Sequence, residues 1–249
     1  MSQNNPMKKY PSIPDLRSGA QARMPRFAFD YLDGGAGDEG GLANNRAAFH
    51  QVQFVPDYLE QRSDPETATE IFGRSYAMPF GVAPVGLSGL IWPRAAEYLA
   101  ATAKEANIPF CLSAMATSSI EKIGAIAGEH AWFQLYPLAD HGHEKELLDR
   151  AKAAGFSALL VTVDTPTTRR GLREIKNGMT VPPKLSLNNL SRIALNPSWA
   201  LATLAAGPPR FESLLPYFPA GANYASVSEM ISGLLARMIG WPEIEALRK

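Results

Sequence analysis

The sequence predicts an α/β fold with a parallel sheet, because strand-like and helix-like stretches alternate along the middle of the chain. Four apolar runs, each ending in a polar or glycine cluster, lie at 78–86, 109–115, 131–136 and 158–164. Amphipathic stretches of helical length separate them, at 94–106, 119–127 and 143–154. The alternation then stops, so the chain holds about four strand–helix units, half the number in an eight-unit barrel.

The segment before the first apolar run, residues 1–77, is predicted to be a helical cap with short strands. Residues 1–20 are polar and proline-rich, with a first turn at 12–16. Helices are predicted at 23–33, which ends at the helix-stopping pair Gly34-Gly35, and at 38–49. Short strands are predicted at 51–58 and 68–77.

The segment after the fourth run differs in composition from the rest of the chain. Residues 165–222 are rich in Pro, Asn, Ser and Gly, and are far longer than an ordinary strand-to-helix loop. Residues 223–249 are predicted to be helical, with one apolar face over 224–239 and a short helix that opens at Trp241-Pro242. We therefore expect one domain over 1–249, with its barrel strands within 78–164.

Composition excludes several classes of protein. With 46% apolar and 19% charged residues, the 249-residue chain is typical of globular proteins. The formal net charge of zero gives no electrostatic footprint for nucleic acid. We expect no cleaved secretory signal, because the first residues have no apolar core, and the sequence has no uninterrupted apolar run of transmembrane length. The single cysteine, Cys111, is expected to be a buried thiol, and its isolation suits a reducing cytoplasm.

Two short motifs have plain structural interpretations. Gly35, Gly37 and Gly40 match G-x-G-x-x-G, but a helix-like segment precedes them where a nucleotide fingerprint needs a strand. We expect a helix-to-helix turn there. His141 and His143 have no other His or Cys nearby, so we expect a solvated helix start and no metal site.

Polar side chains near the ends of neighbouring strands form the candidate site. Parallel strands bring their carboxyl ends to one edge of the sheet, where barrel enzymes place their chemistry. The candidates are Ser113, Gln134, Tyr136, Thr162 and Asp164. This set of an amide, a phenol, two hydroxyls and a carboxylate would suit a flat heterocycle with a small polar substrate. Asp164 by itself could equally be a turn or N-cap residue.

Three arginines, Arg169, Arg170 and Arg173, follow this edge. A guanidinium fork matches a carboxylate in bidentate fashion, so these side chains could hold an acidic substrate. A solvated basic turn is the alternative, and from the residues alone we favour it.

Five motifs together carry a resemblance to a known family. They occur in order, at 29–36, 78–86, 112–113, 132–136 and 162–166. In this combination the chain resembles the FMN-dependent 2-hydroxy-acid dehydrogenase/oxidase family, whose members include L-lactate dehydrogenase, mandelate dehydrogenase and glycolate oxidase. The resemblance extends from about residue 10 to residue 248.

The resemblance implies a (β/α)8 TIM barrel that holds FMN at the carboxyl ends of its strands. The implied flavin contacts are the backbone of Ala83, Pro84 and Val85 and the side chains of Ser113, Gln134 and Thr162. It also implies that glycine at position 86, where family oxidases often carry alanine, places the chain nearer the dehydrogenase branch. That branch passes electrons to a quinone or another acceptor.

The resemblance implies the substrate and catalytic residues as well. Tyr31, Tyr136 and an arginine would bind the substrate, while Tyr136 and Asp164 would be catalytic, Asp164 by orienting the catalytic histidine. The family's arginine position is occupied here by Gly171, so Arg170 is the nearest candidate. The family's lysine, histidine and FMN-phosphate site lie on later strands. We therefore expect a C-terminally truncated chain that is inactive alone.

The expected reaction of the full-length parent is oxidation of a small L-2-hydroxy acid, lactate-like or mandelate-like, to the 2-keto acid. The alternatives are an oxidase that releases hydrogen peroxide, and a non-catalytic half-barrel. The stretch 196–207 is apolar with an interfacial Trp199, and Lys184, Arg192 and Arg210 flank it. We expect a cytoplasmic protein that is a homo-oligomer at full length. Peripheral contact with the cytoplasmic face of the inner membrane is an open alternative to a disordered or self-packed active-site loop.

Overall fold

The computed structural model describes residues 6–59, 65–164, 170–178, 186–218 and 239–248. Within these residues the protein has an α/β fold whose three-stranded parallel sheet packs against helices. The described strands do not form a closed barrel. The helix predicted at 224–239 lies outside the described residues apart from its last position.

Four helices precede the first strand of the described residues: α1 (Pro6–Lys9), α2 (Ile13–Gln21), α3 (Arg26–Asp33) and α4 (Gly40–Ala48), followed by a 3-10 turn at Phe49–Gln51. A capping box starts α2, in which the Ser12 hydroxyl accepts from the Asp15 backbone N–H and the Asp15 carboxylate accepts from that of Ser12. The glycine motif at 35–40 is the turn between α3 and α4, as predicted, and α3 buries Phe27, Ala28 and Phe29.

A two-stranded antiparallel hairpin, β1 (Thr69–Ile71) and β2 (Arg74–Tyr76), turns through Gly73, whose φ of 75° suits glycine. This hairpin accounts for the strand predicted at 68–77. The strand predicted at 51–58 is wrong, because the segment pairs with no other strand among the described residues. Its apolar side chains remain exposed, Phe54 by 94% and Val55 by 90%.

The parallel sheet has the order β3 (Phe110–Ser113), β4 (Ala131–Leu135) and β5 (Ala158–Val161). The first predicted strand, 78–86, is reduced to one bridge, in which Val82 N–H donates to Pro109 O at 2.8 Å and Cys111 N–H donates to Val82 O at 2.9 Å. Pro79 and Pro84 lack the N–H groups that a longer ladder needs. A Cβ on Gly81 would lie 2.6 Å from Pro109 O, so only glycine allows this approach.

The predicted helices between the strands are confirmed as α6 (Ala95–Glu105), α7 (Ile120–Ala127) and α8 (His141–Ala153), and a short helix, α5 (Ser88–Ile91), precedes them. Their apolar faces join Phe110, Leu112 and Phe133 of the sheet in one core. The Asp140 side chain caps α8 by accepting from the His143 N–H at 3.0 Å. The His141 and His143 pair is thus the start of a helix, as expected.

The segment after β5 contains helices as well as loops: α9 (Leu172–Lys176), α10 (Leu187–Ala194), α11 (Pro197–Ala206), a 3-10 turn at Leu215–Tyr217, and finally α12 (Trp241–Leu247). Trp199 was expected to be interfacial, but it is only 5% exposed. Its indole N–H donates to Ile91 O at 3.1 Å, and its ring meets Phe27 edge-on at 5.7 Å. Because the indole finds both an apolar pocket and an acceptor, burial is favoured.

Candidate functional site

Three side chains at the carboxyl end of the sheet form a continuous hydrogen-bonded row. The Ser113 hydroxyl donates to Gln134 Oε1 at 2.7 Å, and Gln134 Nε2 donates to Thr162 Oγ1 at 2.6 Å. Ser113 and Gln134 are buried, and Thr162 is half-buried. We call Ser113, Gln134 and Thr162 the polar row.

Strand geometry explains the polar row. Ser113 and Gln134 are register partners in the β3–β4 pair, and the Thr162 N–H extends the ladder by donating to Leu135 O at 3.0 Å. Because side chains alternate along a strand, Phe110 and Leu112 face the helices while Ser113 faces the opposite side. The sequence thus correctly grouped these three residues.

Cys111 lies on the same strand face as Ser113 and is 4% exposed. Burial away from water raises the pKa of the Cys111 thiol to about 12. The thiol therefore stays protonated at neutral pH and is a poor nucleophile, which confirms the expected buried core thiol.

The other predicted flavin-contact residues, Ala83, Pro84 and Val85, follow the Val82 bridge directly. Ala83 is exposed, whereas Pro84 and Val85 are half-buried. Ala83, Val85 and Ser113 also line a narrow cavity of about 10 Å³, too small for any cofactor.

Tyr31, predicted to bind substrate, reaches the loop after this segment. Its hydroxyl donates to Gly86 O at 3.1 Å. A Cβ at position 86 would lie 3.5 Å from the Tyr31 oxygen and 3.4 Å from Met115 Cβ, which are ordinary contact distances. Tyr31 is therefore fixed beside the first strand-to-helix loop.

Tyr136, Asp164 and Arg170 occupy different surroundings. Tyr136 is half-buried and lies two residues beyond Gln134, and Asp164 is exposed and lies two residues beyond Thr162. Both lie beyond the last residues of their strands, Leu135 and Val161, so strand alternation does not fix the direction of either side chain. Tyr136 packs against the helix-covered core that contains Phe133. Arg170 is exposed, and its carbonyl accepts from the Gly37 N–H at 2.9 Å. Arg169 lies outside the described residues.

Sequence reasoning missed an ionic cluster centred on Arg173. Its guanidinium donates to Asp33 Oδ2 at 2.8 Å and to Glu39, and Arg17 donates to Asp33 at 2.5 Å. Hydrogen bonds from Arg17 and then Arg173 lower the pKa of Asp33, and the Arg173 hydrogen bond lowers that of Glu39.

The cluster changes the interpretation of the arginines. Arg173 is already engaged by carboxylates of the chain itself, so it joins α9 to α3 rather than serving a substrate. The spacing of Asp30 and Asp33 on one helix was the signal in the sequence, but the partner lies 140 residues away. Of the three predicted arginines, Arg170 is the only one that is exposed in the part of the chain that the structure describes.

The sequence is similar to those of flavin-dependent dehydrogenases. A family model for FMN-dependent dehydrogenases matches residues 20–249. An L-lactate dehydrogenase of Pseudomonas syringae pv. syringae (strain B728a) is 34% identical over 242 residues, covering 96% of this chain and 63% of that enzyme.

Solved structures agree with the sequence comparison. The monotopic membrane protein (S)-mandelate dehydrogenase superposes with a TM-score of 0.87 at 29% identity, covering 94% of this chain and 62% of that one. A mandelate oxidase superposes with a TM-score of 0.72 at 31% identity, covering 95% and 59%. The chain thus spans less than two-thirds of the length of these relatives.

Proposed function

The chain belongs to the FMN-dependent dehydrogenase family, and we propose that it carries the flavin-ring side of a site that oxidises a small L-2-hydroxy acid to the 2-keto acid. The polar row is the observation that carries the proposal. The names of the similar proteins, L-lactate dehydrogenase and (S)-mandelate dehydrogenase, support a lactate-like or mandelate-like substrate.

The donors and acceptors of the polar row fit a flavin ring. Ser113 holds Gln134 Oε1 and Thr162 holds Gln134 Nε2, so the amide orientation is fixed. One N–H and one lone pair of that amide remain for a ligand whose edge alternates carbonyl and N–H groups. No formal charge lies in the row, which suits a neutral heterocycle. FMN, when bound, supplies the acceptor for the hydride lost by the 2-hydroxy acid.

The remaining predicted residues receive roles within this proposal. Ala83, Pro84 and Val85 present backbone to the ring. Tyr31, Tyr136 and Arg170 bind the substrate carboxylate and hydroxyl, with Tyr31 held in place by Gly86 O. Tyr136 and Asp164 are catalytic, Asp164 by orienting a histidine base that the family supplies from a later strand. We place that histidine in the additional length of the relatives.

An experiment on the 249-residue chain tests this assignment in two steps. Titration with FMN, followed by flavin fluorescence, should give weak binding that Gln134→Leu weakens further, by about tenfold. Equal FMN binding by both proteins would contradict the role of the polar row.

The second step uses an artificial electron acceptor with L-lactate or (S)-mandelate. We expect no turnover by the chain alone, because the histidine base is supplied elsewhere. Robust turnover would overturn that part of the proposal.

The dehydrogenase and oxidase alternatives differ in the final electron acceptor. The likeness to mandelate oxidase supports a peroxide-forming reaction. The glycine at position 86, where family oxidases often carry alanine, favours the dehydrogenase branch and a quinone or another acceptor. We favour the dehydrogenase, and hydrogen peroxide formed stoichiometrically by the complete enzyme would reverse that choice. If the chain instead belongs to a non-catalytic half-barrel, the complete protein should show no turnover either.

Membrane contact is a further part of the proposal. None of the described helices is long and apolar enough to cross a bilayer. Helix α11 buries Trp199 on one side, yet Leu201 and Leu204 are 67% and 80% exposed on the other. Leu187 and Leu195 of the neighbouring segment are 86% and 80% exposed. We propose peripheral contact at the cytoplasmic face of the inner membrane, which the monotopic relative supports.

Vesicle pelleting tests this contact. Leu201→Ser with Leu204→Ser should lower the bound fraction on anionic vesicles, whereas Leu16→Ser, an exposed leucine on α2, should not. Equal binding of both variants would favour the self-packed loop. The full-length protein is proposed to be a homo-oligomer, as the family suggests.

A further inference from the structure

A polar cavity of about 250 Å³ lies apart from the polar row and shares no lining residue with it. It is enclosed by the loop before α6, the loop between β3 and α7, and the segment that follows α11. The residues that matter chemically are Arg94, Thr117, Ser118, Ser119, Lys122 and Arg210. Nothing in the proposed oxidation uses them.

Two helices begin at this cavity. Arg94 is the N-cap of the 11-residue α6, and Ser119 is the N-cap of the eight-residue α7. The first N–H groups of a helix have no partners within the helix, and the helix dipole makes that end attractive to anions. Two such ends at one cavity favour a negatively charged occupant.

Three consecutive hydroxyls line the same cavity. Thr117 Oγ1 accepts from the Gly89 N–H at 2.7 Å, and Ser119 Oγ accepts from the Lys122 N–H at 3.2 Å. A Cβ on Gly89 would lie 2.5 Å from Thr117 Oγ1, so glycine at this position lets the two loops approach. Thr117 Oγ1 also lies 3.2 Å from Ser88 Oγ, and the Ser119 hydroxyl also hydrogen-bonds to the Glu121 carboxylate, so an occupant would share these two hydroxyls with partners from the chain.

Ser118 provides the independent sign of a missing ligand. The residue is 1% exposed, and its hydroxyl has no hydrogen-bond partner in the described part of the chain. Buried hydroxyls without partners are rare because their desolvation is not compensated. An occupant that accepts hydrogen bonds would satisfy this donor.

The charges at the cavity leave a positive surplus. Lys122 Nζ lies 2.9 Å from Glu97 Oε1, so these two charges offset each other. Arg94 and Arg210 remain against the single carboxylate Glu212. Guanidinium groups and hydroxyls together are the donors that phosphate oxygens prefer.

We propose that this cavity binds a phosphate group, carried either by a soluble phosphate ester or by a lipid headgroup. Its volume exceeds that of a phosphate ion and leaves room for part of the attached group. Helix α11, with exposed Leu201 and Leu204, ends at Ala206 on the cavity wall, which makes a lipid phosphate one accessible source.

The test uses the full 249-residue chain and inorganic phosphate, with binding followed by calorimetry and by thermal denaturation. Phosphate should bind the chain and raise its melting temperature. Arg210→Gln and Ser118→Ala should each weaken binding by about tenfold, as loss of a charge-assisted or buried hydrogen bond predicts. Ser118→Ala should leave the phosphate-free melting temperature unchanged or higher, because it removes an unsatisfied buried hydroxyl.

The matched control is Arg46→Gln, which removes an exposed arginine from α4, outside the cavity. It should bind phosphate like the unchanged chain. Absence of phosphate binding, or equal binding by the control, Arg210→Gln and Ser118→Ala, would overturn the proposal. Because the two cavity variants are independent, misfolding of one leaves the other as the test.

Vesicles containing phosphatidylglycerol then distinguish the two sources. If Arg210→Gln lowers vesicle binding as well as phosphate binding, the phosphate belongs to a lipid. If it lowers phosphate binding alone, a soluble ester is the ligand. Since this cavity is separate from the polar row, FMN titration of the same variants should be unchanged, and either proposal can fail without the other.

Discussion

Phe133 and Gln134 are neighbours on β4 that are almost equally buried, at 1% and 5% exposure, but they face opposite sides of the sheet. Phe133 packs into the helix-covered core and meets Phe156 edge-on at 6.0 Å. Gln134 instead makes two side-chain hydrogen bonds in the polar row. Burial alone therefore does not identify a core residue, since a buried amide is tolerated only when its partners are supplied.

The largest loss of stability is expected from a substitution on the helix-covered face of the sheet. Phe133→Ala removes a ring that is 1% exposed and should lower the free energy of unfolding by about 3–5 kcal/mol. Urea denaturation measures the difference. The matched control is Phe54→Ala, at a phenylalanine that is 94% exposed, where we expect a change of about 0.5 kcal/mol or less. Similar losses in the two variants would mean that the chain in solution buries Phe54.

A smaller loss is expected on the polar face. Gln134→Leu leaves Ser113 without its acceptor and Thr162 without its donor, which should cost about 1–3 kcal/mol. A double-mutant cycle with Ser113→Ala isolates the shared hydrogen bond, and we expect a coupling of about 0.5–1.5 kcal/mol. Additive effects of the two substitutions would show that the row is not a coupled unit.

Much of the fold and part of the candidate site could be predicted from the sequence. The helices at 95–105, 120–127 and 141–153 and the strands of the sheet follow from local periodicity, and the polar row follows from residue order at parallel strand ends. The short bridge at Val82 was not predictable from apolar content, because the flanking prolines limit pairing.

Contacts between distant parts of the chain could not be predicted from the sequence. Trp199 finds its acceptor on Ile91, 108 residues away, and Arg173 finds Asp33, 140 residues away. Neither pairing has a local pattern, so the sequence predicts an interfacial indole and gives no prediction of the ionic cluster. Short-range patterns specify elements, whereas such long-range pairs decide which polar or aromatic side chains remain available for ligands.

Arg173 gives a third prediction, concerning the pH dependence of stability. Asp33 and Glu39 have pKa values below their ordinary 3.8 and 4.5 because Arg17 and Arg173 hydrogen-bond to their charged forms. A lowered pKa contributes stability above the unfolded value, and that contribution is lost as the pH falls through the folded value. Arg173→Gln should therefore lower the stability at neutral pH, by an amount that solvent screening of these partly exposed groups keeps small.

The measurement is chemical denaturation from about pH 6 to about pH 2, over which the unchanged chain should lose more stability than Arg173→Gln. Lys176→Gln is the control, because it removes an exposed positive charge from the same helix. If Lys176→Gln flattens the pH profile as much as Arg173→Gln does, general charge repulsion and not the cluster is responsible.

The smallest effect on stability is expected at Cys111, which lies on the same strand face as the polar row but is not one of its hydrogen-bonded residues. Burial raises its pKa to about 12, so near pH 8 very little thiolate exists and the sulfur is shielded from reagents. A disulfide-exchange reagent should modify the native chain only as fast as the chain opens, while urea-unfolded chain should react at once. Cys111→Ala should change stability little beyond the loss of a small buried group. Fast labelling of the native chain would mean that the polar face of the sheet is open to solvent. Gln134 would then not be as buried as Phe133.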